Sequence, residues 1–255
     1  MKIIKAATVI LSILLFACSS TEPEIILPDI VETGVVGKMI KVQGGTFTMG
    51  CSDCAVDEAP VREVTLSTYY IGEFEILQSE WVAVMEEVDP SYNTVGDSLP
   101  VEQVSWNQVS AFITKLNAST GKKFRLPTEA EWEFAARGGV NSLGYTYSGS
   151  NDIDEVAWYL DNNEDEISQK VGQKQANELG LFDMSGNVAE WCQDRYWAYK
   201  DEAETNPTGP NSGTIRVFRG GRCDFDANDC TVSVRRSDKP ANKYYNLGFR
   251  LVMVP

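Results

Sequence analysis

The sequence predicts one loop-rich α+β domain, on three observations. Two helices carry their own start and stop signals, at about 105–117 and 128–137. Short strand-like runs lie at 40–50, 61–74, 216–219, 231–235 and 248–254. Between 144 and 177 the chain shows turns and single aromatics without periodicity. Strands and helices that do not alternate regularly argue for α+β rather than a doubly wound sheet. A chain of 255 residues can bury a sizeable core. No repeat of solenoid length is present.

In chain order, Met1 to Lys5 is a short basic start and Ala6 to Phe16 an apolar run. The run is too short to cross a bilayer and reads as an export signal, residues 1–17. Leu15-Phe16-Ala17-Cys18 resembles a bacterial lipobox, which makes Cys18 the lipidated first residue of the mature chain. The plainer alternative is an ordinary secretion signal with an incidental cysteine. Residues 18–37 read as an acidic tether and 38–255 as the folded domain. The segment 40–50 alternates and turns like a hairpin, and Val61 to Leu66 and Tyr69 to Phe74 read as strands. Trp81, Val84, Met85 and Val88 share a helical face.

The helix from Ser105 repeats Val109, Phe112, Ile113 and Leu116 at helical spacing. Ser105 can cap its start and Gly121 follows its end. In the next helix Thr128 and Glu131 have capping-box spacing, and Gly138-Gly139 stops it. Arg216 to Arg219 and Thr231 to Arg235 are strand-like. Gly248 to Val254 reads as a closing strand.

The net charge is −15, and loss of residues 1–17, which hold Lys2 and Lys5 and no acid, takes it to −17. Such a surface repels nucleic acid and anionic lipid and favours divalent cations. Histidine is absent. Mechanisms built on Ser-His-Asp, Cys-His or a histidine facial triad are therefore excluded. Besides Cys18 there are Cys51, Cys54, Cys192, Cys223 and Cys230. In an exported chain these are disulfide candidates, and an odd number leaves one thiol over. Cys51-Ser52-Asp53-Cys54 has CxxC spacing but lacks the βαβ context of a thioredoxin-like site.

The organising stretch is Leu179 to Asp194. It runs from Leu181-Phe182 through a Ser185-Gly186-Asn187 turn to Glu190 between Ala189 and Trp191. Gly and Asn both tolerate positive φ. A carboxylate so flanked needs a cation or several hydrogen bonds. Asp183 and Glu190, with turn carbonyls, suit a hard cation such as calcium. The alternative is that Glu190 pairs with an arginine.

Five motifs occur in a familiar order: Met49-Gly50, Arg125-Leu126-Pro127-Thr128-Glu129-Ala130-Glu131-Trp132-Glu133, Gly186-Asn187-Val188-Ala189-Glu190-Trp191, Arg219-Gly220-Gly221 and Asn246-Leu247-Gly248-Phe249-Arg250. From about Met39 to Val252 the chain resembles the formylglycine-generating enzyme (sulfatase-modifying factor) family. The resemblance implies a loop-rich variant of the C-type lectin fold. It also implies a calcium site on the Asp183 and Glu190 side chains and the Gly186 and Val188 carbonyls. A second family calcium site needs an asparagine where this chain has Val156.

The family's enzymes oxidise a substrate cysteine to formylglycine, using two cysteines that bind copper(I). Soft thiolates suit that ion. By resemblance Cys230 falls on one ligand position, while Phe225 stands on the other and Arg222 replaces a serine. Cys223 is out of register by two. One reading makes the domain catalytically silent, with Cys223 or Cys192 bridged to Cys230. Membership then implies a lipid-anchored binding or scaffold module in the cell envelope, with a protein or glycan partner and no nucleic acid. The alternative is a copper-dependent oxidase with Cys223 and Cys230 as working thiols. A third reading places carboxylate chemistry on Asp224, Asp226 or Asp229, against a solvated acidic loop, which is preferred. Arg235, Arg236 and Arg250 read as loop braces. The six tryptophans read as core, with Trp197, beside Tyr196 and Tyr199, the one to inspect for exposure.

Overall fold

The computed structural model describes residues 29–94 and 98–255. The export signal and Cys18 lie outside the described residues. The strands are β1 (Ile30–Glu32), β2 (Lys38–Val42), β3 (Gly45–Met49), β4 (Arg62–Leu66), β5 (Tyr69–Gly72), β6 (Phe124–Arg125), β7 (Ala189–Arg195), β8 (Glu204–Thr205), β9 (Arg216–Arg219), β10 (Arg235–Asp238), β11 (Leu247–Gly248) and β12 (Val252–Met253). The helices are α1 (Gln78–Met85), α2 (Trp106–Thr120), α3 (Glu129–Ala136) and the single turn α4 (Ile153–Val156). Three sheets form, ordered β1-β2-β5-β12-β6, β10-β9-β7-β11 and β3-β4-β8. The mixed α+β class stands.

Both long helices follow their local signals. Ser105 accepts from the Gln108 amide, the Gln108 side chain accepts from Ser105 N–H, and Gly121 ends α2 at φ 67°. In α3, Thr128 and Glu131 make the same reciprocal pair.

Several expectations need correction. The 40–50 segment is not a hairpin. β2 pairs with β1 and β5, β3 pairs with β4, and the chain changes sheets between them. β1 lies within the stretch read as tether, so the sheet takes in residues 30–32. Glu86, at φ 57°, closes α1, which leaves Val88 beyond the helix and 91% exposed. The strand expected at 231–235 begins only at Arg235, because the carbonyls of Val232, Ser233 and Val234 accept from Arg219 instead of a ladder neighbour. The closing strand is split. β11 pairs with β7 and β12 with β5 and β6, so Arg250 lies where the chain passes between sheets.

β7 separates the two main cores. Its neighbours Trp191 and Cys192 face opposite ways, as the strand period demands. Trp191 belongs to the cluster that holds Trp81, Phe112 and Phe249, and Cys192 to the one that holds Trp132, Val64 and Ile71. Among the described residues no helix is long and apolar enough to cross a membrane.

Candidate functional site

The predicted turn forms with both residues at positive φ, Gly186 at 76° and Asn187 at 54°. Gly186 is obligatory on space as well, because a Cβ there would lie 2.2 Å from the Trp158 carbonyl oxygen. Asn187 is fully buried and joins several segments. Its N–H donates to Trp158, its carbonyl accepts from Cys223, its Oδ1 accepts from the Gln169 amide, and its Nδ2 donates to Glu75.

Glu190 lies at the start of β7 and is fully buried. Arg250 donates to both its oxygens at 2.8 Å, and the Trp132 indole N–H donates to Oε2 at 2.7 Å. The arginine reading of Glu190 is therefore the one realised. Asp183, at φ 56°, accepts from Gly172 N–H at 2.7 Å, while its other oxygen is buried without a partner. Gly186 and Val188 are both buried beside them. Of the two side chains that the resemblance assigns to calcium, Glu190 is therefore engaged by a guanidinium, while Asp183 keeps one oxygen uncommitted. Val156 packs with Ile153, Ala157 and Tyr159, which gives a second calcium site no oxygen there. Sequence reasoning missed Glu75, a fully buried carboxylate with one orphan oxygen. Burial, then the charge of Asp183, pushes its pKa well up.

The thiols are likewise not as expected. Cys192, Cys223 and Cys230 are all free and fully buried, so among the described residues neither Cys192 nor Cys223 is bridged to Cys230. Cys223 points its sulfur at the Glu166 carbonyl and Cys230 at the Arg222 carbonyl. Burial raises the pKa of both, Cys230 to about 12. Phe225 packs against the cluster that holds Cys230, with the Arg222 guanidinium 3.8 Å over its ring. Asp224 is not part of a solvated loop, since Tyr245, Asn246 and Arg222 all contact it.

The braces are built from α3. Glu129 and Glu133, four residues apart, share a helix face. Glu129 receives Arg235 in bidentate fashion at 2.7 and 2.5 Å, and Glu133 receives Arg219 and Arg137. Glu131 turns away to Arg125 at 2.6 and 2.7 Å. Arg236 pairs with Asp229. The arginines brace loops, as expected.

Of the tryptophans, Trp81, Trp132 and Trp191 are core, and Trp197 is 63% exposed. Trp197 edges a cleft of about 180 Å3 whose walls include Arg62, Asp194, Tyr199 and Lys200. Tyr199 is buried there, its ring covered by Arg62 at 4.4 Å and Arg235 at 4.0 Å. Asp194 accepts from the Glu129 amide, and burial, then the Glu129 charge, pushes its pKa up to about 8.

A family model described as the sulfatase-modifying factor enzyme 1-like domain matches residues 28–254. The chain belongs to the sulfatase-modifying factor family. Chaperone protein LppX of Paenibacillus barcinonensis is 32% identical over 251 residues, covering 79% of this chain and 84% of that protein. The formylglycine-generating enzyme of Thermomonospora curvata is 28% identical, covering 85% of this chain and 93% of the enzyme. Among solved structures, Treponema denticola variable protein 1 superposes with a TM-score of 0.81 at 31% identity, covering 89% of this chain and 99% of that one. The family fold is thus present throughout the described domain.

Proposed function

We propose that this member of the sulfatase-modifying factor family is a non-catalytic binding module, lipid-anchored through Cys18 in the bacterial cell envelope. The observation that carries the reading is Phe225, packed against the cluster that holds the buried Cys230, at the position where the resemblance expects the other sulfur of a copper(I) site. The Cys51–Cys54 disulfide supports an oxidising compartment. The name of the LppX relative supports a protein partner. The Trp197 cleft offers such a partner an exposed indole, the Asp194 carboxyl and the basic groups Arg62 and Lys200.

The test is direct. The purified domain is given copper(I) and a cysteine-containing sulfatase peptide, and peptide mass is followed. The reading expects no tight copper binding and no formylglycine product. Turnover would replace it with the oxidase. In parallel, Trp197→Ala should keep the stability within about 0.5 kcal/mol, as an exposed substitution does. It should lose a partner captured by the wild type from an envelope extract.

A further inference from the structure

Cys51 and Cys54 form a disulfide across a sequence separation of three residues. A ring this short restrains the unfolded chain little. The loop also holds its place without the bond. Gly50 N–H donates to Glu133, Cys51 N–H to the Glu58 carbonyl, and Arg235 to the Asp57 carbonyl. Tyr196 hydroxyl donates to the Asp57 carboxylate. The bond is therefore poorly explained as a staple.

Its surroundings fit a chemical role. Cys54 is exposed and Cys51 half-buried, whereas Cys192, Cys223 and Cys230 are fully buried. Cys54 lines a cleft of about 450 Å3, with Asn228, Asp229, Thr231 and Arg236 on the facing wall. Glu58 is buried beneath the pair, with a carboxylate oxygen within 4.8 Å of both sulfurs. Its Oε1 accepts from Ala55 N–H, but its Oε2 has no partner. A buried, half-satisfied carboxylate is costly. Beside two sulfurs it has a use, which is to accept and return a proton.

We propose that Cys51–Cys54 is a thiol–disulfide exchange site for a protein dithiol that enters this cleft. A partner thiol passes its proton to Glu58, and its thiolate attacks Cys54 Sγ. The Cys51–Cys54 bond breaks, and Cys51 leaves as a thiolate that takes the proton back from Glu58. The partner's second thiol then attacks its own sulfur in the mixed disulfide and releases Cys54, to which its proton passes. The partner loses two electrons and two protons and gains a disulfide, and Cys51 and Cys54 become thiols. The exposed sulfur is the attacked one, because access sets which sulfur reacts.

The experiment uses the mature chain and a reduced dithiol peptide, with products mapped by alkylation and mass spectrometry. The oxidised wild type should pass its disulfide to the peptide. Single-cysteine variants are then exposed to glutathione disulfide. Cys51→Ser should form the Cys54 adduct at least about tenfold faster than Cys54→Ser forms the Cys51 adduct. Glu58→Gln should slow peptide oxidation by about tenfold or more, the lower end of a lost proton-transfer group. Reduction of the wild type should shift its unfolding temperature by less than about 3 °C. The proposal is overturned if reduction unfolds the domain, or if the two cysteine variants react alike. It is also overturned if Glu58→Gln exchanges at the wild-type rate. None of these results bears on the copper test, so the reading that the domain does not generate formylglycine stands or falls separately.

Discussion

Arg250 and Glu190 form a fully buried ion pair across sixty residues of chain, with Nε donating to both carboxylate oxygens at 2.8 Å. Arg250 also donates to the carbonyls of Gly72 and Phe182, so one side chain joins β5, the 179–183 approach and β7. Removing one partner strands a charge in a medium that cannot solvate it. Arg250→Met should therefore cost about 3–5 kcal/mol in urea unfolding. The double variant with Glu190→Gln should lose less than the two single losses added together. Additive losses would mean that the pair is not the interaction that matters.

Gly186→Ala tests the turn itself. The new methyl meets both a positive φ of 76° and the Trp158 carbonyl oxygen at 2.2 Å. It should destabilise by at least about 3 kcal/mol, in the range of severe backbone strain plus overlap. At Gly121 the φ of 67° is also positive, but no atom lies within 4 Å of a Cβ. Gly121→Ala should thus cost about 1 kcal/mol. Equal losses at the two positions in chemical denaturation would refute the contact argument.

Acid should stabilise this protein relative to mildly alkaline solution. Burial raises the pKa of Asp194 from 3.8 to about 8 and those of Glu80 and Glu102 from 4.5 to about 7. The folded state therefore binds more protons than the unfolded one between these limits. Their contribution is greatest below the unfolded values. It is lost as pH rises through about 4 to 8. Glu129, which the Arg235 and Arg219 charges hold below its usual value against the cost of burial, acts in the opposite sense at lower pH. The unfolding temperature at pH 5 should exceed that at pH 8. Asp194→Asn keeps an oxygen for the Glu129 amide and should flatten the profile. A profile that rises from pH 5 to 8 would contradict the assignment.

A second sulfur can be supplied to Cys230. Phe225→Cys with Arg222→Ser puts a thiol in the cluster that holds Cys230 and removes the guanidinium over position 225. This variant should bind about one equivalent of copper(I) in a chelator competition where the wild type binds none. Failure would show that burial of Cys230, rather than the missing donor, blocks the site.

Much of the fold was legible in the residues, because the signals that set it are local. The capping pairs at Ser105–Gln108 and Thr128–Glu131, the stop at Gly121 and the Gly186-Asn187 turn act over three or four residues. The braces at Arg235, Arg236 and Arg250 were legible as a type of contact. The 40–50 segment was misread because hairpin patterning says that two strands exist but not that they pair. β2 and β3 join different sheets through partners far along the chain.

By itself the sequence determined the α+β class, the family and the absence of histidine chemistry, and it put a phenyl ring where the resemblance expects a thiolate. The tertiary structure decided that Glu190 faces Arg250, that Cys192, Cys223 and Cys230 stay free and buried, and that Cys54 opens on a cleft that Glu58 also lines. The physical reason is the reach of each interaction. Caps and turns are settled by neighbours within one turn of chain. The charge state of a buried carboxylate or thiol depends on which distant groups the packing brings against it.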